Sequence, residues 1–217
     1  VTENGQKTKC YTKDNSALQD AGASGTTRTA IGGIAFDKDK NLWIANYDAS
    51  APIAVLKPDG KILNFSNAFA NNFIGLTVDE SGYKWLTVAF NGGVLVYDSG
   101  KDLQSAADDR YRHILTSNSV LKSNTVNCVA VDLDGAVWVG TQQGVVSFDC
   151  GSNVFDPSVC KGRRPIVEVD NFNAYLLETE DVRAIAVDGA NRKWFGTTNG
   201  IFVLSPDGMK QVAQYST

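Results

Sequence analysis

Four tryptophans divide this chain into repeats, and their register constrains the fold more than any other feature. The 217-residue chain contains only four tryptophans, and an aspartate stands six residues before each of them. The pairs are Asp37 and Trp43, Asp79 and Trp85, Asp132 and Trp138, and Asp188 and Trp194. Successive tryptophans are 42, 53 and 56 residues apart. A register of this kind indicates one supersecondary unit repeated four times.

Each repeat is predicted to contain four antiparallel strands. The run before each tryptophan is apolar, as in VNCVAVD and VRAIAVD, which is typical of a strand covered on both faces. A turn then reverses the chain, with Gly82, Gly135 or Asn191 where a positive φ is tolerated. Two further runs follow, and outer segments such as KILNF, YRHIL and KQVAQY close the unit. The predicted fold class is therefore all-β, a β-propeller built from four-stranded antiparallel blades.

The repeat boundaries define one propeller region over residues 1–217. Its units span about residues 26–70, 71–116, 117–175 and 176–217, and residues 1–25 are predicted to hold a leftover outer strand, at 6–11, and a linker. Because nothing marks closure of a ring by strands from the two termini, we expect these four blades to be part of a larger propeller. An open arc exposes apolar blade faces, so we expect the isolated piece to self-associate.

The tryptophans are predicted to be apolar wedges between neighbouring blades, and the aspartates to cap turns. A packing role explains the strict register better than ligand stacking does. Asp132 and Asp134, or Asp37 and Asp39, could form half of a calcium loop, but the fuller pattern, with alternating Asp or Asn through a glycine to a distant glutamate, does not follow. We therefore predict that the four Asp–Trp pairs are structural.

Composition excludes several classes of protein. The chain has 20 basic and 24 acidic residues and a net charge of −4, which is unsuited to binding nucleic acid. No apolar stretch approaches the ~18 residues needed to cross a bilayer. His113 is the only histidine and lies in an outer-strand segment, so a two-histidine metal motif is excluded and a catalytic triad is disfavoured. We predict no enzyme activity, no metal and no cofactor.

The four cysteines are predicted to differ in state. Cys150 and Cys160 flank a short excursion within the third repeat and are predicted to form a local disulfide. Cys128 aligns with glycine or alanine in the other repeats, which predicts a packed free thiol, and Cys10 has no predicted partner. A disulfide favours an oxidising compartment such as the periplasm or the cell surface, whereas two free thiols argue the other way.

One face of the predicted propeller is the candidate ligand surface. The linkers into the first strands and the turns between second and third strands share this face, and their amides, hydroxyls and few aromatics suit a glycan or a protein loop. The candidate residues are Asn46, Tyr47, Asp48, Phe90, Asn91, Gln142, Gln143, Thr198 and Asn199, to which the linkers add Asn71, Asn72, Ser123 and Asn124. Because loops are generally polar, the prediction concerns the patch and not each residue.

The third repeat resembles the two-component-regulator propeller repeat. Residues 118–149 carry its Asn-Ser, Leu and Ser-Asn elements and then Asp-x-x-Gly-x-x-Trp-x-Gly-Thr. The fourth repeat keeps the Gly-Thr pair and is similar to PorZ-like propellers of type IX secretion systems. The first two repeats depart from the pattern, since Asn46 and Val88 replace the threonine and Lys40 replaces the turn glycine. The resemblance covers about residues 12–217.

The resemblance implies a non-catalytic binding and scaffold module of an exported protein. Its implied place is the periplasm or outer-membrane surface of a gram-negative bacterium. Implied partners are secretion-machinery or other cell-surface proteins and lipopolysaccharide or another glycan. The alternative is the periplasmic sensor propeller of a hybrid two-component regulator that binds a carbohydrate. A propeller hydrolase or lyase lacks a supporting acid–base constellation. A transmembrane helix and kinase domains after Thr217 would favour the sensor, and more propeller with a small β-domain would favour secretion.

Overall fold

Strands and turns make up nearly all of the structure, a computed structural model that describes residues 2–3, 6–7, 10–22, 28–169 and 172–216. Within these residues a single 3-10 helix spans Gly151–Phe155. The strands are β1 (Thr2–Glu3), β2 (Gln6–Lys7), β3 (Ile31–Phe36), β4 (Leu42–Asn46), β5 (Ile53–Leu56), β6 (Ile62–Phe65), β7 (Phe73–Val78), β8 (Lys84–Val88), β9 (Val94–Asp98), β10 (Arg110–Ile114), β11 (Val126–Val131), β12 (Val137–Thr141), β13 (Gly144–Phe148), β14 (Ile166–Val169), β15 (Phe172–Tyr175), β16 (Val182–Val187), β17 (Lys193–Thr197), β18 (Gly200–Leu204) and β19 (Gln211–Tyr215).

The strands are arranged as consecutive antiparallel meanders. Blade 1 is β3–β6, blade 2 is β7–β10, blade 3 contains β11–β13 and blade 4 is β16–β19. The inner strands β3, β7, β11 and β16 contact one another in that order. The predicted all-β propeller of four-stranded antiparallel blades is confirmed, and blade 3 is the exception in strand number.

Blade 3 has three full strands and only a trace of the predicted fourth. Arg163 and Ser147 exchange two backbone hydrogen bonds. This pair is an isolated bridge and does not extend into a strand. Pro165, which has no N–H to donate, follows two residues later. The chain instead forms the β14–β15 hairpin, whose Val167 is buried in a cluster with Trp138.

The N-terminal segment differs from the predicted outer strand at residues 6–11. Gln6–Lys7 pairs with Thr2–Glu3, residues 8–9 lie outside the described residues, and Tyr11 is not in a strand. The first repeat boundary, at residue 26, also lies outside the described residues. Leu18 is buried against Ile44 of blade 1. Assignment of the segment to a preceding blade stays a prediction.

Each repeat aspartate holds both a turn and a tryptophan. Its Oδ2 accepts a hydrogen bond from the indole N–H six residues later, at 2.8 Å in the first three repeats and 2.9 Å in the fourth. Its Oδ1 accepts hydrogen bonds from the backbone N–H groups two and four residues later. The turn needs a positive φ at its fourth residue, and Lys40 adopts 63° there without being glycine. The fixed six-residue spacing follows from this shared carboxylate.

The tryptophans pack on the blade that follows in sequence. The pairs are Trp43 with Tyr97, Trp85 with Phe148, and Trp138 with Phe195, at ring-centroid distances of 6.1, 5.4 and 5.9 Å. These three tryptophans are at most 2% exposed. Trp194 in blade 4 is half-buried and stacks on Tyr215 of its own blade. The repeat therefore places one large aromatic wedge in each of the three blade junctions.

Candidate functional site

The predicted ligand surface, here called the upper face, consists of the candidate turn and linker residues named above. Backbone hydrogen bonds fasten each turn to a linker. Asp48 N–H donates to the Asn71 carbonyl at 2.8 Å, and Gly93 N–H donates to the Asn124 carbonyl at 2.9 Å. The Gln142 N–H likewise donates to a linker carbonyl, at 3.0 Å. The upper face is thus a continuous rim and not a set of independent loops.

Some predicted residues of the upper face are structural. The Asn46 side chain is fully buried, and its amide exchanges hydrogen bonds with the backbone of Gln19, at 2.7 and 2.9 Å. Asp48 is 8% exposed and accepts a hydrogen bond from the Asn71 side chain. The Asn124 carboxamide oxygen accepts from a backbone N–H of the preceding segment. These side chains order the linkers and are not presented to a ligand.

The side chains that the upper face does expose come from all three later blades. They are Asn71, Phe90, Asn91, Gln142, Gln143, Thr198 and Asn199, whereas Tyr47, Asn72 and Ser123 are half-buried. Asn91 accepts a hydrogen bond from the Thr125 hydroxyl, and Asn199 donates one to Glu180 at 2.9 Å. The exposed set is one aromatic ring among uncharged amides and a hydroxyl.

Phe90 is the most unusual member of the upper face. Its side chain is 80% exposed, and it has a φ of 56°, followed by 61° at Asn91. A 3.1 Å hydrogen bond from Gly92 N–H to the Ala89 carbonyl closes this turn. Two central residues with positive φ favour asparagine, aspartate or glycine, and a bulky residue there costs about 1 kcal/mol or more. Phe90 is therefore unfavourable in two respects, because its apolar ring is exposed to solvent and its backbone has a positive φ.

The opposite rim, formed by the β3–β4 and β7–β8 turns and the β9–β10 loop, contains a cavity of about 650 Å³ between blades 1 and 2. Lys84 lines it and is only 3% exposed. Its ammonium donates to the Gly82 carbonyl at 3.0 Å and to the Ser99 hydroxyl at 2.8 Å, and lies 3.9 Å from the centre of a Trp43 ring. Burial lowers the pKa of Lys84 to about 8, against the opposing effect of nearby carboxylates.

Sequence reasoning did not identify this ammonium. The available signal was a lysine placed between two large aromatic residues, Tyr83 and Trp85. A buried group with a shifted pKa beside a cavity marks a candidate functional site. The ammonium's two hydrogen bonds and the indole ring occupy its donors, so the geometry supports a structural role at the junction.

His113 lies at the outer edge of blade 2, away from the inner strands. It lies on β10, the outer strand of blade 2, and its Nε2 is 2.6 Å from the Gly92 carbonyl oxygen. Among the residues that the structure describes, no group of three or more His, Cys, Asp or Glu side chains could hold a metal ion. No described helix is long and apolar enough to span a membrane.

The disulfide loop is a contact between blades 2 and 3. Cys150 and Cys160 are joined in the structure, while Cys10 and Cys128 are free. Buried Arg112 of blade 2 donates to the Cys160 carbonyl at 2.6 Å and to another carbonyl of the loop. Burial raises the pKa of the Cys128 thiol to about 12, so it is a weak nucleophile at neutral pH.

Comparison with protein-family models and with curated proteins gives no match. Among solved structures, the chain is similar to PorZ, described as an essential bacterial surface component of the type IX secretion system of Porphyromonas gingivalis. The sequences are 24% identical, the TM-score is 0.81, and the match covers 98% of this chain and 30% of PorZ. This chain therefore spans less than a third of that protein.

Two other kinds of propeller are similar at lower scores. One is the extracellular domain of a protein described as a hybrid two-component system of B. thetaiotaomicron, with 16% identity, a TM-score of 0.58 and coverage of 92% of this chain and 24% of that one. The other is virginiamycin B lyase of Staphylococcus aureus, with 15% identity, a TM-score of 0.57 and coverage of 87% and 56%. At these identities the likenesses establish the fold.

Proposed function

We propose that this chain is a non-catalytic binding and scaffold module of an exported bacterial protein, similar in role to PorZ. The likeness to PorZ carries the proposal, since its TM-score of 0.81 over 98% of the chain exceeds the 0.57 and 0.58 of the lyase and the two-component domain. The disulfide supports an oxidising location, at the periplasm or the outer-membrane surface. The partners proposed are secretion-machinery or other cell-surface proteins.

The placement of the single histidine supports a non-catalytic role. A histidine-to-alanine variant of virginiamycin B lyase is described as catalytically inactive. Here His113 lies on an outer strand and its Nε2 faces a backbone carbonyl. Its ring packs edge-on against Phe69. Nothing in this arrangement supports elimination or hydrolysis at the propeller centre.

The upper face is the proposed ligand site, and lipopolysaccharide or another glycan is its proposed ligand. An exposed aromatic ring can stack on a sugar ring, and amides can bond to hydroxyl groups. Phe90 supplies the ring, and Asn91, Gln142 and Gln143 supply amides on the same face. The strain at Phe90 is the kind of backbone outlier that clusters at functional sites.

The test compares two variants that each remove an exposed apolar side chain. Phe90→Asn alters the upper face, whereas Leu133→Asn removes a side chain that is 61% exposed on the opposite rim. Calorimetric titration with purified lipopolysaccharide, and separately with its delipidated polysaccharide, should show at least tenfold weaker binding for Phe90→Asn only. Equal affinities for wild type, Phe90→Asn and Leu133→Asn would contradict a glycan site here. So would a wild-type protein that binds neither lipopolysaccharide nor the delipidated polysaccharide.

The second candidate is a sensor propeller of a hybrid two-component regulator. Its support is the third repeat's motif and the similarity to the B. thetaiotaomicron extracellular domain. A sensor of this kind would bind a carbohydrate and signal through a kinase. Sequencing the surrounding gene separates the two, because a sensor requires a membrane-spanning segment and a kinase domain in the same polypeptide.

A further inference from the structure

A second exposed phenylalanine lies at the margin of the upper face. Phe69 is 49% exposed and belongs to the linker between β6 and β7, the same linker that contributes Asn71 and Asn72 to the upper face. Its ring packs on β10, the outer strand of blade 2. This side of blade 2 therefore has two exposed phenylalanine rings, Phe69 and Phe90.

The linker holds Phe69 in a fixed and exposed position. The Asn67 carboxamide oxygen accepts hydrogen bonds from the N–H groups of Phe69, at 2.8 Å, and Ala70, at 3.0 Å, and its nitrogen donates to the Ala70 carbonyl. The rings of Tyr111 and His113 each lie 5.9 Å from the Phe69 ring, centroid to centroid. A ring that is ordered before a ligand arrives costs less entropy on binding.

Hydrogen bonds join the surroundings of Phe69 to the turn that carries Phe90. The N–H of Ala89, the residue before Phe90, donates to the Asn72 carbonyl at 2.9 Å. The Nε2 of His113 is 2.6 Å from a backbone carbonyl oxygen of the same turn. Because Asn72 is three residues from Phe69, the Cα atoms of the two phenylalanines are within roughly 20 Å of each other.

Exposed amides accompany the two rings along this path. Asn71 stands in the linker two residues after Phe69, and Asn91 directly follows Phe90. Asn71 uses its amide nitrogen to donate to Asp48, whereas Asn91 uses its oxygen to accept from the Thr125 hydroxyl. The oxygen of Asn71 and the nitrogen of Asn91 can therefore bond to hydroxyl groups of a ligand.

The two rings form a row that leads away from the inner strands. Phe90 lies in the turn between β8 and β9, and Phe69 packs on β10, at the outer edge of the same blade. Among the ring contacts of the described residues, none joins Phe69 to Phe90. A single sugar that stacks on one ring therefore leaves the other ring open to a further sugar of the same chain.

We propose that the upper face binds a glycan chain of several sugar units, which lies across blade 2 and stacks on Phe90 with one sugar and on Phe69 with another. This inference rests on the proposed glycan site and adds the length and direction of the ligand. Each stacking contact contributes up to about tenfold in affinity. Because one chain makes both contacts, the second contact is intramolecular, and affinity rises with chain length until both rings are reached.

The test is calorimetric titration with the delipidated polysaccharide and with fragments of it sorted by length down to monosaccharides. Wild-type affinity should rise with fragment length and then level off. Phe69→Asn should bind the longest fragments about tenfold more weakly, with a much smaller effect on the shortest fragments that bind measurably. Phe69→Tyr, which keeps a ring, and Leu133→Asn, on the opposite rim, should bind like wild type. Circular dichroism and melting confirm that the variants fold.

His113 provides a second readout that needs no substitution. It is the only histidine of the chain, and its ring packs edge-on against Phe69. At constant pH, the NMR signals of its imidazole should shift when long fragments are added, and unchanged signals would contradict contact with Phe69.

Two further results would overturn the proposal and separate it from the proposed function. Affinity that does not depend on fragment length, or a Phe69→Asn protein that binds long fragments like wild type, would overturn the extended site and leave the glycan site at Phe90 intact. A wild-type protein that does not bind the polysaccharide at all would overturn both.

Discussion

Junctions 1–2 and 2–3 share one geometry and fill it with different chemistry. In junction 1–2 the position before the second blade's tryptophan is Lys84, whose ammonium lies over Trp43. In junction 2–3 the same position is Val137, 2% exposed, in the cluster of Trp85 and Phe148. The first junction thus contains a buried charge, and the second contains aliphatic and aromatic packing.

The repeat aspartates of the two junctions also differ in the direction of their pKa shifts. Burial raises the pKa of Asp37, but hydrogen bonds from Asn41 and Trp43 outweigh it and hold the pKa below the usual value. At Asp79 burial is the larger effect, and the pKa is raised despite the bond from Trp85. The tryptophan and the aspartate-capped turn are therefore compatible with both an ionic and an apolar junction. The side chains around them determine how the free energy of unfolding depends on pH.

Removing a wedge from a filled junction is expected to have the largest effect. Trp138→Ala should lower the free energy of unfolding by about 3–5 kcal/mol, because it opens a cavity against Phe195 and leaves the Asp132 carboxylate without its indole donor. Chemical denaturation measures this. Trp194→Ala, at a half-buried wedge, should cost clearly less, and equal losses would contradict wedge packing as the cause.

The buried charge of junction 1–2 should appear as pH dependence. The pKa of Lys84 is about 8 in the folded chain against 10.5 for an ordinary lysine. The folded state thus binds this proton more weakly, and its contribution to stability should rise between pH 8 and 10.5 by up to about 3 kcal/mol. Lys84→Leu, which copies Leu42 of blade 1, should lack this rise. Parallel curves for both proteins would contradict the assignment.

Junction 2–3 should depend on the disulfide instead. Cys150→Ser with Cys160→Ser should lower the free energy of unfolding by about 2–3 kcal/mol, through the entropy of the unfolded chain in one model. Hydrogen exchange should increase mainly around Arg112, which binds the loop. Non-reducing peptide mapping of wild type should recover the Cys150–Cys160 link and a free Cys128. A Cys128 cross-link would contradict this pairing.

The smallest expected effect is a gain in stability on the upper face. Phe90→Asn should raise the free energy of unfolding by about 1 kcal/mol, because asparagine tolerates a φ of 56° better than phenylalanine does. Phe69→Asn is the matched control, since Phe69 is 49% exposed and is not among the positive-φ residues. A gain at both sites would indicate that loss of exposed apolar area, and not backbone strain, is responsible.

The blades were predictable because strand period and turn residues are local properties of the sequence. Side-chain partners were harder, because they join segments far apart along the chain. Asn46 has the composition of an exposed turn residue, and only its bonds to Gln19 show that it is buried. The burial of Lys84 could similarly not be predicted without knowing that its ammonium lies over the Trp43 ring of the preceding blade. The short fourth strand of blade 3 was missed because the pattern suggested a repeat and Pro165 interrupted it.

The one-way direction of the wedges has a consequence for synthesis on the ribosome. Every interior tryptophan is covered by the blade after it, so a blade that has just emerged keeps its wedge uncovered until the next 42 to 56 residues are made. At ordinary translation rates of about 5–20 residues per second, each wait is roughly 2–11 seconds. During synthesis of these blades, the nascent chain therefore exposes the uncovered tryptophan face of the most recently completed blade. The position of this exposed face shifts along the chain as each further blade is completed.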